Sequence, residues 1–149
     1  MSTEHANDAL QAINVRVEGV SELAESELFT LNVLPLLHEV RHSLERLLER
    51  GEETTIDLGS IPLAPGELEK IDDALGTGEV KAMLESLGPS QIYETRFSGV
   101  WRITHFNAAN EVVGRFIEVT RMPGILFAQD VDVRASLVQL TEKLSGTSD

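Results

Sequence analysis

The 149-residue chain contains no cysteine. Disulfides, thiolate metal ligands, iron–sulfur clusters and thiol nucleophiles are therefore excluded together. No apolar run approaches the roughly 20 residues of a membrane-spanning helix. The opening MSTEHANDAL lacks the basic and apolar regions of a secretory signal. Cations are scarce: 12 Lys and Arg stand against 25 Asp and Glu, a net charge of −13. Phosphate backbones and anionic membranes are held by clustered Lys and Arg, so neither nucleic acid nor membrane is an expected partner. The balance favours partners with basic surface and a cytoplasmic setting. Two catalytic signatures are missing as well. Without GxxxxGK[ST] there is no nucleotide-driven metal insertion, and without GxSxG no positioned serine nucleophile. Gly76-Thr77-Gly78 is too short to cradle a phosphate and suits a helix cap and turn.

What is present reads as one α+β domain over residues 10–145, with short tails at 1–9 and 146–149. Its expected architecture is an antiparallel sheet of four to five strands with helices packed on one face. Ile13, Val15 and Val17 alternate with polar residues, the period of a short strand, and residues 21–26 are helix-compatible. Val33, Leu37, Val40, Leu44, Leu47 and Leu48 form a helical stripe that ends at Gly51. Thr54–Leu58 has strand character, and Glu67–Leu75 a second helix closed by Gly76. Strands are expected at about 79–85, 91–97, 100–106 and 111–121, with a turn or bulge at Ser98-Gly99 and a hairpin loop at Asn107–Asn110. Asn110 is the residue expected to take positive φ. A closing helix begins near Asp130, with Val133, Leu137, Leu140 and Leu144 on one face.

Alternation along the strands predicts two unlike faces. Val80, Ala82, Leu84, Tyr93, Phe97, Trp101, Ile103, Val113, Ile117 and Val119 compose the core-like one. The other carries charge beside large apolar residues. On it, Phe106, Phe116, Arg96, Arg102 and Glu118 are the candidate partner-binding residues, because aromatics and arginine dominate interaction patches. A homodimer is one use of such a patch.

One segment looks like chemistry. His38–His42 reads HEVRH, the zinc-protease pattern in which two histidines a helical turn apart bind metal and the glutamate is the base. Measured from the centre of the apolar stripe, His38 lies roughly 125° round the helix and His42 roughly 165°. Both point away from the core, and His105, on the core-like sheet face, is a poor third ligand. The pair's remaining use is a loose surface site for Ni²⁺ or Zn²⁺ with Glu45 nearby. No catalytic residue, cofactor or tightly held metal is expected, and no peptidase activity.

Several fragments carry a further reading by their order and spacing. They are Gly51-Glu52 leading into Ile56-Asp57-Leu58, Leu75-Gly76 with Gly78-Glu79-Val80, Gly99-Val100-Trp101, and Ile117-Glu118-Val119 followed by Pro123. Over about residues 33–143 the chain resembles the C-terminal domain of the HupH/HyaF-type hydrogenase expression proteins. The resemblance implies a non-catalytic accessory factor in [NiFe] hydrogenase maturation, a chaperone-like module holding a hydrogenase subunit or another maturation factor. Family members are associated with small-subunit maturation and with nickel incorporation into the large subunit. Full-length relatives carry a further N-terminal region, whereas only some thirty residues precede the matching part here. A nickel-handling protein using His38 and His42 is the alternative, and a zinc metallohydrolase on HEVRH the remote one.

Overall fold

The computed structural model describes residues 32–147. The expected 1–9 tail, the strand at Ile13–Val17, the 21–26 helix and the last two residues lie outside that range. The described elements are α1 (Val33–Arg50), β1 (Thr54–Asp57), α2 (Glu67–Leu75), β2 (Lys81–Leu84), β3 (Ser90–Glu94), β4 (Val100–Phe106), β5 (Val112–Val119) and α3 (Asp130–Ser145). The strands form one antiparallel sheet in the order β1-β5-β4-β3-β2. The expected α+β class and both early helices match the structure in type and extent.

Helices α1 and α2 pack on one face of the sheet. Val33, Leu36, Val40 and Leu47 from α1, with Ile71 and Leu75 from α2, meet Ile56, Val100, Ile117 and Val119. The buried positions of α1 repeat at intervals of three and four, the seam a helix presents to a sheet. That seam is narrower than the expected stripe. Leu37 and Leu44 sit at its shoulder and Leu48 is 78% exposed.

One carboxylate ties the two helix starts together. The Asn32 side-chain amide donates to Glu67 at 2.9 Å, the Asn32 backbone N–H at 3.1 Å and the Ala64 N–H at 2.8 Å. A negative charge between two helix N-termini also answers their dipoles. These donors, the Asn32 side chain first, hold the Glu67 carboxyl below its ordinary range. The clamp is therefore intact at neutral pH and is lost as pH falls through that lowered value.

The second face is also packed. Ile92, Trp101 and Ile103 are buried there, with Ala82, Leu84, Phe116 and Leu126 against them. This corrects the expected division, which set Trp101 and Ile103 beside Ile117. The register pairs Trp101 with Glu118 and Arg102 with Ile117, so Trp101 and Ile117 lie on opposite faces. Tyr93, expected with Trp101, instead pairs with Arg102 on the helix side, and Ile92 takes its place. For Trp101 and Ile103 against Ile117 the cause is a bulge. Phe106 pairs with Val112 but His105 with Gly114, so one extra residue enters β5. A single-residue slip exchanges the faces of everything beyond it. Without the bulge, Trp101 would stand with Ile117 as alternation suggested.

Other local expectations match. Asn110 has φ 60°, and the Asn107 carboxamide accepts from the N–H groups of Ala109 and Glu111 at 2.9 Å each. Ser98-Gly99 forms a turn between β3 and β4, with Gly99 at φ 88°. The closing helix α3 departs from expectation in its packing: every one of its residues is exposed.

Candidate functional site

The HEVRH segment lies in the middle of α1 with His38, Glu39 and His42 all exposed. The helix turns both histidines to solvent, as the angular argument required. His42 Nδ1 lies 3.3 Å from the His38 carbonyl, and its Nε2 lies 3.4 Å from the Arg41 guanidinium. That cation is itself paired with Glu45 at 3.3 Å. Among the described residues no three His, Asp or Glu side chains come together as a metal cluster. His105 belongs to the sheet face opposite the helices, so the sheet separates it from His38 and His42.

The five candidate partner residues do not share a face. Arg102 is buried on the helix side, where its Nε donates to Asp72 of α2 at 2.7 Å. Its Nη1 is buried without a hydrogen-bond partner among the described residues. Phe106 follows Arg102 and Thr104 in the pleat of β4 and is half-buried. Arg96 is exposed in the β3–β4 turn, and its side chain lies against Gly76. Phe116 and Glu118 alone among the five occupy the second face.

That face collects a distinct set of side chains. Phe116 folds over Gly114, where an added Cβ would sit 2.8 Å from the ring; the glycine leaves room for an aromatic lying flat on the sheet. His105 meets the Phe116 ring edge-on, centroids 5.6 Å apart, while its Nδ1 lies 2.6 Å from Ser90 Oγ. Trp101 Nε1–H donates to the Thr120 carbonyl at 3.0 Å, which fixes the indole beside Glu118. Asp57 is opposite Phe116 and Glu94 opposite Trp101. Three carboxylates thus share the face with Phe116 and His105. Arg102, Arg115 and Lys81 fall on the helix side by register. Alternation within each strand was readable in the sequence. The grouping of His105 with Phe116 depends on cross-strand register, and Gly114, a glycine inside a strand, was the one signal of irregularity there.

Partial burial raises the Glu118 carboxyl above its ordinary value of 4.5, Glu53 adds to the rise, and His105 opposes it. A raised folded-state value means that ionised Glu118 costs stability at neutral pH, and the cost disappears once both states are protonated. Glu118→Gln is expected to unfold at a higher temperature than the parent at pH 7. The difference should close as pH falls toward 4.5; thermal melts of both proteins from pH 4 to 7 check this.

Comparison with known proteins agrees with the geometry. Residues 30–146 match the family model for the HupH hydrogenase expression protein, C-terminal conserved region. A solved structure of the hydrogenase expression protein HupH from Thiobacillus denitrificans superposes with a TM-score of 0.75 at 43% identity. It covers 77% of this chain and 96% of its own. The hydrogenase expression/formation protein HupH of Rhizobium leguminosarum bv. viciae is 26% identical over 112 residues, and HoxQ of Azotobacter vinelandii 28% over 114. Each alignment covers 75% of this chain and 40% of the relative, so the chain spans well under half the length of these curated proteins. The bulged five-stranded sheet under two helices, the family match across all of it and the solved neighbour lead to one conclusion: this chain belongs to the HupH hydrogenase expression family, in its C-terminal conserved region.

Proposed function

We propose that the chain is a non-catalytic binding module in [NiFe] hydrogenase maturation, holding a segment of a hydrogenase subunit on the second face of its sheet. The observation that carries this reading is the composition of that face. Phe116 and His105 stand partly buried among Asp57, Glu94 and Glu118, while the neighbouring Lys and Arg side chains of the sheet face the helices. Aromatic area ringed by carboxylates suits an apolar segment flanked by Lys or Arg, and a chain of net charge −13 draws such a segment in. The names of the relatives, hydrogenase expression/formation proteins, support a place in hydrogenase maturation.

The test is capture of separately expressed hydrogenase subunits by the purified chain. Phe116→Asp and Glu118→Lys are each expected to keep the parent's circular dichroism and to weaken capture about 10-fold or more, as loss of a central anchor does. Glu118→Lys removes no apolar contact, so it reports on binding even if Phe116→Asp disturbs packing. Unchanged capture by both folded variants would place the partner elsewhere.

A further inference from the structure

Among the described residues two apolar surfaces have no partner, and they match each other. The first is α3. Val133, Leu137, Leu140 and Leu144 recur at spacings of four, three and four, the seam of a packed helix pair. All four are more than half exposed, Leu137 at 67%. The second is a groove along α1. Leu37, Val40 and Leu44 line one lobe of about 300 Å³ with Ala74, Leu75 and Phe97. Leu44, Leu47 and Leu48 line an adjoining lobe of about 340 Å³ against the β3–β4 turn. From Leu37 to Leu48 is eleven residues, as is Val133 to Leu144, so both stripes are ~16 Å long.

Charge agrees at one end. Arg41 lines one lobe, and Arg121 with Glu94 the other, while α3 carries Asp130 and Asp132 in its first turn and Glu142 beside Lys143 in its last. The acidic first turn of the helix is the end that complements the arginines lining the groove.

The helix does not occupy the groove of its own chain. Pro123 is buried and Leu126 packs on Trp101 and Ile103, on the face of the sheet opposite α1 and α2. The chain therefore enters α3 from the far side of the sheet. We propose that the occupant is a second copy: in a two-fold dimer, α3 of each protomer lies in the α1 groove of its partner. Such an interface is isologous and closed, and it covers both apolar surfaces on both chains. Two exchanged helices bury on the order of 2,000 Å² in total, the size of a stable homodimer interface. The proposal rests on α1 and α3, whereas the hydrogenase-binding reading concerns the other face of the sheet; Glu94 borders both and is left unchanged in the test.

The absence of cysteine makes the test clean. Light scattering on the full chain at tens of micromolar is expected to give twice the monomer mass. Leu137→Glu with Leu140→Glu on α3, and separately Leu48→Glu in the groove, are each expected to halve that mass with unchanged circular dichroism. Leu44 and Leu140 lie near the middle of their stripes, so their pairing is insensitive to helix direction. An equimolar mixture of Leu44→Cys and Leu140→Cys proteins, treated with a short bismaleimide, should give the mixed cross-linked dimer as its main product. A monomeric parent overturns the proposal. So does a predominant Leu140→Cys homodimer, which means α3 pairs with α3. Internal cross-linking of a monomeric double-cysteine chain overturns it too, since the helix then docks in its own groove.

Discussion

Asp72→Ala is expected to lose about 3–5 kcal/mol of stability, although Asp72 is itself partly open to solvent. The cost arises on the other partner. Arg102 is 3% exposed, its Nε–Asp72 contact is 2.7 Å long, and its Nη1 has no acceptor among the described residues. Removing the carboxylate leaves a desolvated cation under α2, whereas removing the cation leaves a carboxylate that water reaches. Arg102→Met keeps most of the packing and deletes the charge, so it is expected to cost less than Asp72→Ala. Urea denaturation of the two single variants and the double variant measures the coupling. Equal and small losses in both singles would show that water relieves Arg102 and that the pair is a surface contact.

Ile103→Ala is the second large effect, about 2–5 kcal/mol, comparable with Ile117→Ala. The two isoleucines sit on opposite faces of the sheet, at 1% and 0% exposure. A sheet with one solvated face would show the loss at Ile117 alone. Equal losses by urea midpoint, at unchanged slope, would establish that both faces contribute to folding; a loss below about 1 kcal/mol at Ile103 would return the second face to solvent.

The same two residues mark how far the sequence could be read. The helices were legible because each carries its own period and its own stop, Gly51 after α1 and Gly76 after α2. Asn110 was legible because its conformation is local. The face of each β4 residue relative to β5 was not, since it depends on a bulge between His105 and Phe106 that no alternation within one strand reveals. That slip moved Arg102 from an imagined open patch into a buried ion pair, and it brought Trp101, His105, Phe116 and Glu118 together. Leu37, Leu44 and Leu48 were read as core because periodicity measures apolarity and does not identify what covers it. Their place is at the edge of the core, along the groove.

The strand order also bears on how the chain folds. Strands β2 to β5 follow one another as an unbroken meander, each pairing with the next across a short connection. Such hairpins close small loops and form on the microsecond scale. Strand β1 joins differently: Thr54 lies opposite Val119, with all of α2 and the meander between them in sequence. Closing so long a loop costs more entropy, and the cost is recovered only when Ile56 meets Ile117 beneath the helices. The meander can therefore exist before α1 and β1 arrive, with Ile117 and Val119 uncovered in the interval. The main hydrophobic core is therefore expected to close last, which folding kinetics of Ile56→Val and Ile103→Val variants would test.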